Sequence, residues 1–76
     1  MKLRRVRSSA IEGVGYDAER QQLEVRWIGQ PRAYRYHRVP AEAYEALLEA
    51  PSKGTYVNEQ IKPRYLYDVV DEAQGS

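Results

Sequence analysis

The sequence predicts an α+β domain: a three-stranded antiparallel meander packed against one helix of about three turns and a shorter second helix. A further segment near the C-terminus is available as a fourth strand. Three observations point there. Residues 9–39 contain three short stretches of period-two alternation separated by polar, Gly- or Pro-bearing turns. After Pro40 the apolar spacing changes to that of a helix. The chain has 76 residues, enough for one small domain.

Ser9–Tyr16 reads as the first strand, with Gly13 and Gly15 inside it. Glycine within a strand signals a bulge or a close backbone approach. Asp17–Gln21 is polar and fits a hairpin loop. Gln22–Ile28 alternates cleanly, Leu23, Val25 and Trp27 on one face and Glu24 and Arg26 on the other. Gly29-Gln30-Pro31 is a second turn. Arg32–Val39 is the third strand, which sends Tyr34 and Tyr36 to one face and Arg35 and His37 to the other.

Pro40 suits the first turn of a helix, where its missing N–H costs nothing. The helix continues through Ala41–Ala50, with Tyr44, Leu47 and Leu48 as its core stripe and Glu42, Glu45 and Glu49 facing water. Pro51 stops it, and Ser52 can cap a second short helix that runs to Ile61 with Tyr56, Val57 and Ile61 inward. Lys62-Pro63 breaks that helix, and Arg64–Val70 alternates again as a fourth strand or an extended packed segment. The expected core is Ile11, Val14, Leu23, Val25, Trp27, Tyr44, Leu47, Leu48, Val57 and Ile61. Residues 1–7 form a basic arm, 8–70 the domain and 71–76 a polar tail.

Composition narrows the function classes. Without cysteine there is no disulfide and no thiolate metal site, and a single histidine, His37, cannot build a His cluster. No nucleophile stands beside a base with an orienting partner, so no catalytic residues, no metal and no cofactor are expected. No apolar run approaches a membrane span, and no apolar stretch follows the basic start. The expectation is a soluble, cytoplasmic protein.

The net charge of +1 hides an asymmetry. Up to Arg38 the chain carries nine basic and four acidic residues, a balance of +5; after it, three basic and seven acidic, a balance of −4. Such a layout makes a basic binding face or two halves that neutralise each other. Arginine, which suits phosphate recognition and stacking on bases, supplies nine of the twelve bases.

The candidate binding residues follow. Within Arg32-Ala33-Tyr34-Arg35-Tyr36-His37-Arg38, two tyrosines on one strand face form either a stacking platform for unpaired bases or part of the core, since the chain has no Phe. Arg35 points away from both rings. Arg32 and Arg38 flank them. In the arm, Lys2, Arg4, Arg5 and Arg7 are candidate phosphate contacts or a solvated terminus. Lys53, beside Ser52 and Gly54 at a helix start, can hold an anion, although the spacing of a Walker A loop is missing. Asn58 can bond a base edge or tie down a loop.

The order of Ser8-Ser9, Ile11, Val14-Gly15-Tyr16-Asp17, Leu23-Glu24-Val25, Gly29, Tyr34-Arg35-Tyr36, Val39-Pro40, Tyr44, Leu47, Ala50, Ser52-Lys53-Gly54, Tyr56-Val57-Asn58, Ile61 and Tyr65 resembles a KTSC domain over about residues 8–69. That family is named after the C-terminal extension of some lysyl-tRNA synthetases and includes free-standing small bacterial and phage proteins. Trp27 and Val57 stand where the family usually has Phe, and Leu66 where a Pro often follows the Tyr, swaps that alter packing more than chemistry. The resemblance implies a module of uncharacterised function with RNA binding proposed for it. The leading expectation is therefore a non-catalytic module for RNA or single-stranded nucleic acid, with a monomer favoured over a homodimer joined at its edge strands. The alternative is a protein-interaction module that uses the acidic helix or an edge strand.

Overall fold

The structure is a computed structural model that describes residues 3–71. Lys2 of the arm and the tail beyond Asp71 lie outside the described residues. Five strands make one antiparallel sheet: β1 (Arg4–Arg5), β2 (Ile11–Asp17), β3 (Gln22–Trp27), β4 (Arg32–Tyr36) and β5 (Tyr67–Asp71), in the order β1-β2-β3-β4-β5. After β4 come α1 (Ala41–Glu49) and α2 (Lys53–Tyr56), the latter continuing as a π-helical turn over Val57–Ile61. The meander of three strands is thus the centre of a sheet of five. The arm supplies one edge and the segment after Pro63 the other.

Glycine explains the first addition. Arg5 lies opposite Gly13, and a Cβ there would stand 3.0 Å from the Arg4 carbonyl oxygen, so β1 can approach β2 only across a glycine. The register of β2 against β3 shifts between Ile11 and Gly13, which makes the expected bulge. The Ser8 hydroxyl accepts from the amides of Ala10 and Ile11 (3.1 and 3.0 Å) and turns the chain into β2. At the far end, the Asp17 carboxylate accepts from the amides of Glu19 and Arg20 (3.1 and 3.3 Å), closing the hairpin loop.

The third strand is shorter than its alternation suggests. Arg38 takes a left-handed backbone, φ 59°, which turns the chain out of the sheet after Tyr36. Pro40 opens α1 without a side-chain cap, its carbonyl accepting from Ala43 and Tyr44. Ser52 does not cap α2: its hydroxyl donates to the Thr55 hydroxyl at 3.0 Å instead. The wide turn that follows closes with the Lys62 amide donating to the Val57 carbonyl at 2.7 Å.

The helices cover one sheet face. Ile11, Val14, Leu23, Val25, Tyr36, Val39, Leu47, Val57 and Ile61 form the buried core. Of the side chains expected there, Trp27, Tyr44 and Leu48 lie part-buried at its rim. Tyr44 stacks on Tyr16 at 4.7 Å, and the Tyr16 hydroxyl donates to the Val39 carbonyl at 2.6 Å. Tyr36 joins the core because it faces Leu23 across the β3–β4 ladder, on the helix side, and Val39, whose amide donates to the Gln21 carbonyl, is buried with it. No helix among the described residues is long and apolar enough to cross a membrane.

Candidate nucleic-acid interface

Strand alternation builds the site. Tyr34 and Tyr36 point to the helix side of β4, and antiparallel pairing with β5 places Val69 and Tyr67 beside them. At this corner a recess of ≈ 260 Å³ remains open. Tyr34, Tyr36 and Tyr67 make its sheet wall, Trp27 and Gln30 stand at the end of β3, and Asn58 and Lys62 come from the π-helical turn. Asn58 and Lys62 are four residues apart on that turn, so both reach the same opening.

The rings are set at angles that leave space between them. Tyr67 meets Tyr34 edge-on (5.5 Å, 84°) and tilts against Tyr36 (5.5 Å, 47°). Tyr67 is 45% exposed, whereas Tyr36 is 2% exposed and forms the floor. Burial, with the neighbouring Tyr67 and Tyr34 hydroxyls, pushes the Tyr36 phenol up to about 12. Gly54 of α2 lies beside Trp27. A Cβ at that position would stand 3.1 Å from the Ala10 Cβ and in ordinary contact, 3.6 Å, with Trp27 Cζ3, so glycine lets α2 close onto Ala10 beside the indole. The volume lies just below the usual range for small-molecule pockets, about 300–1,000 Å³, and suits one planar ring system. Asn58 and Gln30 supply donors and acceptors for a ring edge, and Lys62 supplies a cation.

The other expected residues separate. Arg32 opens β4 on the same side as Tyr34, opposite Asp71. Arg35 passes to the uncovered face, where its Nη2 donates to Glu24 Oε1 at 3.1 Å. Arg38 lines a different hollow, with His37, Arg64, Tyr65 and Leu66. Arg4 and Arg5 sit in β1 at the opposite edge of the sheet, and Arg7 is exposed just after it. Lys53 donates to the Ala50 carbonyl at 3.1 Å, at the end of α1. The tyrosine pair is therefore a floor and a wall, not a flat platform.

Sequence reasoning missed Tyr67, Lys62 and Gln30 as site residues and placed Trp27 in the core. The alternation of Arg64–Val70 carried the signal for Tyr67. Lys62 looked like nothing more than the residue before a helix-breaking proline. Among the described residues no cluster of three or more His, Asp or Glu side chains could hold a metal ion.

A five-stranded antiparallel sheet with two short helices on one face defines a small α+β domain. The chain belongs to the KTSC domain family, whose pattern it matches over residues 7–65. It is 47% identical over 60 residues to a protein of Tsukamurella paurometabola, covering 79% of this chain and 88% of that one. It is 43% identical over 65 residues to an uncharacterized protein of Stutzerimonas stutzeri, covering 86% and 90%. The crystal structure of a KTSC domain protein from Yersinia pestis has the same fold, with a TM-score of 0.85 at 32% identity over 91% of this chain and 96% of that one.

Proposed function

We propose that this KTSC domain binds single-stranded nucleic acid by taking an unpaired base into the recess between Trp27, Tyr34 and Tyr67. One observation carries the reading: an open aromatic recess, sized for a ring system, with amide side chains at its edge and a lysine as its one charged lining residue among those described. Every base has a π-face, so stacking there tolerates sequence, and Asn58 and Gln30 add edge contacts.

Trp27 is the single tryptophan of the chain and lines the recess, so it reports directly. Its fluorescence should change on titration with an oligonucleotide of about six nucleotides at low salt. Tyr67→Ala should weaken that binding by about 1–3 kcal/mol, the usual worth of a stacked base, with little loss of stability because the ring is 45% exposed. A wild-type protein whose fluorescence ignores the oligonucleotide at low salt overturns the reading.

A second reading rests on the sheet edge. β5 ends the sheet among the described strands, and Leu66 (84%), Tyr67 (45%) and Val69 (48%) are exposed on and beside it. An open apolar edge is a template for a partner strand, in a protein-interaction module. Co-purification of a stoichiometric protein after nuclease treatment would favour it.

A further inference from the structure

Two further hollows adjoin the recess through shared lining residues. The next, ≈ 280 Å³, is lined by the connector from Lys62 to Tyr67, and it shares Lys62 and Tyr67 with the recess. The third, ≈ 550 Å³, lies against His37 and Arg38 and shares Arg64, Tyr65 and Leu66 with the second. The three hollows are thus neighbours strung along the connector, each sharing lining residues with the next. The basic residues that line them are Lys62, then Arg64, then Arg38; no carboxylate is among the described lining residues, and Asp68 stands 2.8 Å from His37 of the third hollow. The hollow beside α2 differs, with Glu59 in its wall.

The backbone fixes the far end of this row of hollows. The His37 amide donates to the Leu66 carbonyl at 2.9 Å and the Val39 amide to the Gln21 carbonyl at 2.8 Å. Arg38 is held between these two anchors in a left-handed conformation that few side-chain-bearing residues adopt. Arg64 is placed by a turn in which its own amide and that of Tyr65 both donate to the Ile61 carbonyl (3.1 and 3.0 Å). The backbone positions that carry the cations are therefore pinned along and beside the connector, next to an aromatic recess. Phosphates joined to a stacked base need that arrangement.

We infer that the bound strand leaves the base recess along the connector from Lys62 to Leu66 and carries its phosphates onto Lys62, Arg64 and Arg38. This rests on the base-recess reading. It assigns the phosphate contacts to Lys62, Arg64 and Arg38 rather than to Arg35 of the Tyr-Arg-Tyr strand or to the basic arm. It also makes the ligand an oligonucleotide rather than a free nucleotide.

The test compares a mononucleotide with a single strand of about six nucleotides, both followed by Trp27 fluorescence across a salt series. The variant is Arg38→Asn with Arg64→Ala, since asparagine tolerates the left-handed backbone at position 38. Arg64→Ala alone is the second variant should the pair perturb folding. For the pair, the longer strand should bind roughly tenfold more weakly at low salt, and its salt slope should fall by about 1.4, which is about 0.7 for each phosphate that is no longer neutralised. Mononucleotide binding should not change. Arg5→Ala with Arg7→Ala, in and just after the opposite edge strand, should leave both ligands unaffected.

If wild-type protein binds both ligands but the Arg38 and Arg64 pair leaves the longer strand's slope unchanged, the path is overturned and the recess stands. A loss of slope in the Arg5 and Arg7 variant instead also overturns the path. If a poly-glutamate peptide of matched charge competes as well as the longer strand, the connector is an acidic-peptide track and the assignment falls. If neither nucleotide ligand moves Trp27, the recess reading fails and the path fails with it.

Discussion

The two faces of the sheet handle arginine and tyrosine in opposite ways. On the uncovered face no helix of the described residues packs, yet Gly13, Gly15, Glu24 and Ala33 are buried. The Nε atoms of Arg26 and Arg35 are buried there too, so the long stems lie down on the sheet and act as its cover. Glu24 pairs with Arg35, and His37 Nε2 lies 2.8 Å from Asp68 Oδ2. Two charge pairs thus form within this face. On the helix side the sheet wall at the β4–β5 corner is aromatic, and Lys62, the one charged residue among those described that line the recess, meets no lining carboxylate there. The number of arginines in a strand therefore says little about where a polyanion could land. What matters is which face alternation sends them to and whether an acid is opposite.

The largest effect should come from breaking the covered side. Ile61 is fully buried and ends the turn that carries Asn58, while its carbonyl anchors Arg64 and Tyr65. Ile61→Ala should cost about 2–5 kcal/mol in denaturant unfolding, a large share of what a domain this small has. Recess and phosphate path should be lost together, because one turn supports both. If stability fell by that much and Trp27 still reported full binding, the site would not depend on the helix side as described.

The contrast of faces was partly legible in the sequence. Alternation in Gln22–Ile28 and Arg32–Tyr36 assigned Tyr34 and Arg35 to opposite sides, and the glycines of β2 announced the bulge. β1 was not legible, because two arginines carry no apolar pattern; a backbone approach across Gly13 decides that pairing. Nor was the end of β4, where the left-handed Arg38 overrides alternation that runs on to Val39. The recess joins residues from positions 27 to 67, and no local spacing encodes that assembly. The choice between platform and core for Tyr36 needed the β3–β4 register, which sets it against Leu23 under the helices.

A smaller effect should sharpen the account of the recess floor. The Tyr36 phenol is raised from 10.0 to about 12, chiefly by burial, then by Tyr67 and Tyr34. The unfolded chain releases this proton near 10.0 and the folded chain near 12, so the fold holds the proton more tightly between them. The stabilisation is whole below pH 10 and should decline as pH rises towards 12. Tyr36→Phe should remove part of that alkaline loss in unfolding experiments run across the window. Part should remain, because Tyr16 is also raised, by burial and then by Glu42, Asp17 and Tyr65. An unchanged alkaline slope in Tyr36→Phe would mean that the ring sits in water and the recess has no such floor.

The smallest expected effect bears most directly on the division between faces. Arg35 is the centre of Tyr-Arg-Tyr, and a reading of that motif as a unit would give it a phosphate. Its guanidinium instead lies 3.1 Å from Glu24, which is 8% exposed. Arg35→Ala leaves that carboxylate without its partner. Because the arginine side chain is 35% exposed, water relieves part of the penalty, and the cost should be about 1 kcal/mol, well short of a fully buried pair. Glu24→Gln combined with Arg35→Ala should cost less than the two changes added, since the carboxylate left unpaired is then gone. Oligonucleotide affinity and its salt slope should match wild type once the folded fraction is matched. A slope lower by about 0.7 would put a phosphate on Arg35. The strand would then have to wrap the β5 edge and touch both faces, and the neutralised face would be part of the site.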